Sequence, residues 1–222
     1  MRQFDDLTYV HSVNVALIAS ILGQWLKFSE KDIRILTISG LLHDIGKIMI
    51  PNEILTKPGK LTVAEYNIMK QHVNFGYEKI KNQNIDIQIK EACLLHHEKC
   101  DGTGYPFGLK SDHIPAVAKI IAIADVYDAM TSARVYRGAL CPFEVIDTMY
   151  KDAFTKFEPE YILPFLKNVA SSYINNDVRL SDGRIGKVVL INENALSLPI
   201  VQCEDEFIDL SKTRGLTVSA IL

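Results

Sequence analysis

The sequence predicts a mainly α-helical bundle carrying a small C-terminal β appendage, and three observations support that fold class. Apolar residues recur at three- and four-residue intervals through most of the first 174 residues, the spacing that lines one face of a helix. Start and stop signals punctuate this stretch: Ser29, Thr62 and Pro142 open segments, while Gly46 and Pro51 close one. After Asn175 the pattern changes to short strand-like runs separated by Ser181-Asp-Gly and Asn192-Glu-Asn, which are turn sequences. The expected division is a helical body over residues 1–175 and a β appendage over residues 176–222 packed on it.

The first helix is expected from about Thr8 to Lys27, with Val10, Val13, Leu17, Ile21 and Leu22 turned inward. Ser29 N-caps the next, whose inner face is Ile33, Leu36 and Gly40 to Leu42 and which ends near His43. Thr62 and Glu65 have capping-box spacing and open a helix reaching about Lys81. Another helix spans roughly Asp86 to Glu98. The run from Pro115 to Thr131 is apolar nearly all round, the mark of a central buried helix. Pro142 suits the first turn of a helix ending near Phe154, and Pro159 that of a last helix, which Pro164 should kink or shorten. In the appendage, Val178 to Leu180 and Arg184 to Ile191 read as a hairpin, with Leu198 to Cys203 and Phe207 to Leu210 as further strands.

Composition excludes several classes. At 222 residues with 48% hydrophobic and 23% charged residues, the chain is too apolar for wholesale disorder. A formal net charge of −3 argues against duplex nucleic acid, whose phosphates call for a run of cations. The longest apolar runs, such as Ile120 to Ala124, fall far short of the roughly 18–20 residues of a membrane span. Asp5 and Asp6 stand where a signal peptide would be basic. Cys93, Cys100, Cys141 and Cys203 lack paired spacing, so reduced thiols and a cytoplasmic location are expected.

The histidines decide the chemistry. His43-Asp44 closes one apolar helix and His96-His97 another, while His11 and His72 lie inside helical patterns. Asp125 sits in IIAIADVYDAM, where a carboxylate must be paired, hydrogen-bonded or bound to a metal. Consecutive helical residues point about 100° apart, so each adjacent pair can serve two metals or grip one. His11, His43, Asp44, His72, His96, His97 and Asp125 therefore form a set of seven candidate ligands. Imidazole and carboxylate without thiolate suit Fe or Mn, with Zn a further fit. His113, in the polar segment KSDHIP, reads as a loop residue. Lys47 lies one turn beyond His43, and Arg134 and Arg137, three apart, could share a face as an anion clamp. Asp128, one turn beyond Asp125, could orient a histidine or pair with an arginine; Glu98 and Asp101 are also candidates to orient histidines. Tyr105, Tyr127 and Tyr136 are equal candidates for stacking on a base. Gly102, Gly104 and Pro106 shape the loop around Tyr105.

The segments HSVNVALIA (11–19), LLHDIGKIMIP (41–51), QHVNFGYE around His72, HHEKCDGTGYP (96–106) and IAIADVYDAMTSARVYR (121–137) together resemble the HD-GYP subgroup of the HD-domain metal-dependent phosphohydrolases. The HD pair alone is unspecific; HHEKCDGTGYP, about fifty residues beyond HDIGK, is very specific. The tail segments SDGRIGKVV and EFIDLS are similar to the short β region at the end of such domains.

The resemblance implies a phosphodiesterase acting in bacterial signal transduction, which opens cyclic di-GMP to linear pGpG, with onward cleavage to GMP left open. It assigns the seven residues as ligands to two divalent metal ions, Fe or Mn, that hold a bridging hydroxide. Two such metals lie about 3.5–4 Å apart and stabilise charge on the attacking and leaving oxygens. Asp44 is the natural bridging ligand, having two oxygens, and Lys47, Arg134 and Arg137 take phosphate. Tyr105 and its loop face substrate or protein partners, and a homodimer is a further expectation. Some members hold a third metal through a glutamate four residues before the first histidine. Leu7 stands there, so two metals are expected unless Asp5 or Asp6 reaches in. Two other readings stay open: hydrolysis of another cyclic nucleotide, and a nucleotide-binding module without turnover.

Overall fold

The computed structural model describes residues 2–132 and 140–222, with side chains described from Thr8 onward. It opens with two helices, α1 (Arg2–Trp25) and α2 (Glu30–Leu42), that pack along each other. Ser29 caps α2 by accepting a hydrogen bond from the Asp32 amide (3.2 Å). Small residues let the two backbones close: a Cβ at Gly40 would stand 2.5 Å from the Ala16 Cα. This contact corrects the expected inner face of α1. Val15, Ala16, Ala19 and Leu22 are buried, whereas Val10, Leu17 and Ile21 are 51%, 57% and 43% exposed. Val13 is half-buried, so only Leu22 of the five expected residues is fully inside. The side that carries Ser12, Ala16 and Ala19 can approach a neighbour more closely than the side that carries bulky aliphatics. On α2 the buried residues are Ile35, Leu36, Ser39 and Gly40, while Leu41 is exposed.

The helix expected from Thr62 to Lys81 is two helices, α4 (Val63–Met69) and α5 (His72–Ile80), preceded by the single-turn α3 (Asn52–Leu55). The capping box forms as the spacing predicts, with Thr62 and Glu65 bonding reciprocally. The chain breaks at Lys70-Gln71 because the two halves have different surroundings. No residue of α4 is buried, whereas α5 buries His72, Val73, Gly76 and Ile80. Asp86 caps α6 (Ile87–Leu95), and α7 (Ala116–Thr131) runs through the core, with Ile120, Ile121, Ile123 and Ala124 inaccessible. α8 (Pro142–Asp152) and α9 (Pro159–Ser172) complete the helical part. Pro164 does not shorten α9, whose buried residues Ile162, Phe165, Leu166 and Val169 continue on both sides of it.

The tail is a five-stranded antiparallel sheet in the order β4-β3-β2-β1-β5. Its strands are β1 (Asp177–Leu180), β2 (Ile185–Leu190), β3 (Ile200–Cys203), β4 (Glu206–Asp209) and β5 (Val218–Ile221). The Ser181-Asp-Gly hairpin turns where expected, with Gly183 at φ +93°. β5 was not expected from the sequence; it pairs with the outer edge of β1. Buried residues of the sheet, among them Val178, Val188, Val201 and Val218, belong to the same hydrophobic cluster as those of α1, α2 and α7 to α9. The four cysteines are free, and among the described residues no helix is long and apolar enough to cross a membrane.

The Gly40–Ala16 contact yields a stability prediction. Gly40→Ala forces α1 and α2 apart and is expected to cost about 1–3 kcal/mol, read as a lower urea midpoint. An unchanged midpoint would show that the two backbones are not held in this contact.

Candidate metal centre

The seven candidate side chains come from five parts of the chain and meet in two adjoining groups. Ligating atoms of Asp44, His72, His96 and His97 lie within 4.8 Å of one another, as do those of His11, His43 and Asp125. Asp44 joins the groups through its two oxygens. Oδ1 lies 3.3 Å from His72 Nε2 and 4.0 Å from His96 Nε2. Oδ2 lies 3.3 Å from His43 Nε2 and 3.6 Å from His11 Nε2. Asp125 Oδ1 approaches His11 Nε2 at 3.1 Å, and its Oδ2 is 3.9 Å from His97 Nδ1.

Local structure fixes the imidazoles. His43 and His96 stand at the C-caps of α2 and α6, where backbone carbonyls have no helical partner. His43 Nδ1 donates to the Gly40 carbonyl (2.7 Å), and His96 Nδ1 lies 3.1 Å from the Ala92 and Cys93 carbonyls. His72 opens α5 and donates Nδ1 to the Met69 carbonyl at the end of α4 (2.8 Å). The α4–α5 break thus turns His72 toward the centre. Gly46 permits the approach, since a Cβ there would stand 1.9 Å from the His72 carbonyl oxygen. His11 differs: its Nδ1 bonds to Asp128 Oδ2 (2.6 Å), and Asp128 in turn accepts from Asn14 Nδ2 (2.8 Å) and Ser132 Oγ (2.9 Å). A carboxylate behind an imidazole sets its tautomer and raises its basicity as a ligand.

The electrostatics follow from burial and neighbours. Burial alone would raise the Asp44 carboxyl, but Lys47 and His43 beside it hold it well below the usual carboxylate range. Asp125 is likewise lowered against its burial, chiefly by His11 and His97. Burial and neighbouring histidines push His96 well below its ordinary value. Burial also lowers His72, helped by Lys47, and brings His97 down to about 4. His11 goes the other way: burial opposes its charge, but Asp125 and Asp128 raise it to about 9.

The other expected residues divide. Lys47 reaches the centre, but its ammonium donates to Asp44 Oδ2 rather than standing free. The Tyr105 ring stacks on His97, with centroids 4.7 Å apart and planes at 29°. Arg134, Arg137 and Tyr136 lie outside the described residues, as do the side chains of Asp5, Asp6 and Leu7. Tyr127 packs on Phe165 against the core (5.1 Å). Glu98 orients no histidine in this geometry; its buried carboxylate accepts the amides of Phe107, Gly108 and Leu109 and clasps the loop. Asp101 turns onto Thr103 instead. His113 is exposed beside Asp112. A missed contributor is Cys93, whose thiol donates to the His43 carbonyl (3.4 Å).

A family model described as the HD domain matches residues 5–161. The chain belongs to the HD-domain family. Among curated relatives, the cyclic di-GMP phosphodiesterase PA4108 of Pseudomonas aeruginosa is 36% identical over 203 residues, 91% of this chain and 49% of its own length. The 3'3'-cGAMP-specific phosphodiesterase 2 of Vibrio cholerae is 36% identical over 157 residues, 70% of this chain and 30% of its own length. The chain thus spans half or less of the length of these relatives. In fold it is similar to Bd1817, a HDG"Y"P protein from Bdellovibrio bacteriovorus, with TM-score 0.59 at 22% identity over 71% of this chain and 50% of that one.

The HD residues present fit a divalent metal. Nε2 of His43, His72 and His96, and Oδ1 of Asp44, are buried without a hydrogen-bond partner, which a cation would supply. Nitrogen and oxygen donors without thiolate match hard and borderline ions.

Two outcomes follow. Asp128→Ala should weaken Mn(II) binding by about 10–100-fold in calorimetric titration; wild-type affinity would remove Asp128 from the support of His11. Without metal, His11 stays protonated up to about 9, and a metal requires the neutral ring. Uptake should therefore release a proton and strengthen from about pH 6 to about pH 8, read from heats in buffers of different ionisation enthalpy. A binding constant flat across that range would contradict the assignment.

Proposed function

We propose that the chain is the catalytic part of a metal-dependent phosphodiesterase that opens cyclic di-GMP to linear pGpG. The helical body, residues 1–175, would carry the chemistry and residues 176–222 form the β appendage. The observation that supports this best is the division of the Asp44 oxygens between two sets of imidazoles. Asp44 would hold divalent metal together with His72, His96 and His97 on one side and with His11, His43 and Asp125 on the other. Two divalent ions, Fe or Mn, would supply Lewis acidity toward a phosphodiester and a hydroxide nucleophile at neutral pH.

The chain's own residues do the rest. Lys47 balances the Asp44 charge at the edge of the centre, close enough to meet a phosphate oxygen there. His43, His72 and His96 keep their protons on Nδ1, against backbone carbonyls, so Nε2 presents a lone pair inward. Asp128 does the same for His11. Tyr105, seated on His97 by a loop that Glu98 clasps, walls one side of the centre with an aromatic face. Arg134 and Arg137 are the proposed cationic contacts from the segment after α7, where a phosphodiester would need charge beyond the metals.

The names of the relatives favour a cyclic dinucleotide and leave two bases in play, since one acts on cyclic di-GMP and another on 3'3'-cGAMP. The test is product identification. Protein loaded with Fe or Mn should convert cyclic di-GMP to pGpG, with 3'3'-cGAMP run in parallel. No product from either would sink the reading, and cleavage of 3'3'-cGAMP alone would move it to that substrate. Asp44→Ala should abolish turnover while its circular dichroism stays helical; wild-type turnover at unchanged metal content would refute the site.

A further inference from the structure

Helix α4 has no buried residue, so the core does not explain where it sits. It is anchored at its start by the Thr62–Glu65 capping box and by Lys57, whose ammonium lies 2.6 Å from Glu65 Oε2. At its far end Tyr66 and Lys70, one turn apart, face the Tyr105 loop. The Lys70 ammonium lies 5.3 Å from the Tyr66 ring centroid and 5.9 Å from that of Tyr105. The two rings meet edge to face at 6.5 Å. Tyr105 is also 4.7 Å from the His97 ring and 6.4 Å from the His72 ring. Lys70 therefore stands one aromatic ring away from two histidines of the centre. Among the described residues it makes no ion pair, unlike Lys47, which Asp44 engages.

A cation held on the faces of tyrosines is oriented without being neutralised, which leaves its donors for an anion. We propose that Lys70, steadied by Tyr66 and Tyr105, binds the second, non-scissile phosphodiester of a cyclic dinucleotide. The proposal rests on the substrate class given above. Such a substrate carries two phosphodiesters in one ring. When the centre takes one, the other must lie nearby, and leaving it without a cation forfeits a charge-assisted contact. Lys70 fits that place by position, by its lack of a carboxylate partner among the described residues and by its contact with two tyrosine rings. Its contribution is to substrate binding, since nothing places it on the reacting atoms.

The experiment compares two substrates on the metal-loaded protein. Cyclic di-GMP has both phosphodiesters; bis(p-nitrophenyl) phosphate has one and nothing for the second subsite. Lys70→Ala is expected to raise KM for cyclic di-GMP about tenfold or more, with kcat and the rate on the single diester within about twofold of wild type. Lys70→Arg should restore most of the loss, because it keeps the charge, and Tyr66→Ala should raise KM in the same direction. Equal losses on both substrates would place Lys70 at the metal centre and overturn the subsite; unchanged KM for cyclic di-GMP would remove it altogether. Wild-type protein that cleaves the single diester but neither cyclic di-GMP nor 3'3'-cGAMP fails the substrate reading itself, and the subsite falls with it. Far-ultraviolet circular dichroism of each variant separates these outcomes from misfolding.

Discussion

Asp44 is buried among four imidazoles, and a carboxylate at that depth needs compensating charge. Lys47 answers part of it from the surface side, and the histidine nitrogens around Asp44, buried without a hydrogen-bond partner, fit a divalent cation that would answer the rest. This shared demand explains much of the local architecture. α2 ends at His43, and α5 begins at His72 after a break in what the sequence reads as one helix. Gly46 lets the turn after Asp44 lie against the start of α5. α7, otherwise apolar, admits two carboxylates, Asp125 on the centre and Asp128 behind His11.

The loop beyond His97 depends on the same centre but is held by a different device. Glu98 spends its carboxylate on three consecutive amides of the loop, so the residue next to a candidate ligand secures the backbone on which Tyr105 sits. That loop is tied to His97 through the peptide bond to Glu98 and one stacked ring. The sheet joins the helices through a continuous apolar cluster.

Helical periodicity made most of the helices legible in the sequence, and α7 was clear because a run apolar on all sides has one home in a small domain. The inner face of α1 was misread because hydrophobicity favours Leu17 and Ile21, while the packing that wins is the close approach of Ala16 to Gly40. The α4–α5 break was hidden because a helix carrying a capping box and continuous polar-apolar spacing gives no local stop signal before His72. β5 is four residues on the edge of a sheet, too short for alternation to register. Four of the seven ligand candidates, His43, Asp44, His96 and His97, were legible because adjacent His-Asp and His-His pairs at helix ends are hard to explain as surface residues. Glu98 and Tyr127 were not: a residue's neighbours in sequence do not reveal whether its side chain meets backbone amides, a core phenyl ring or an imidazole.

The bonds from His43 and His96 to carbonyls of their own helix ends have a thermodynamic consequence. Ring orientation there is inherited from secondary structure, so the rotational freedom of these imidazoles is surrendered when the helices form. An arriving ion finds the donors already aimed and need not freeze them, which leaves more of its binding energy to appear as affinity.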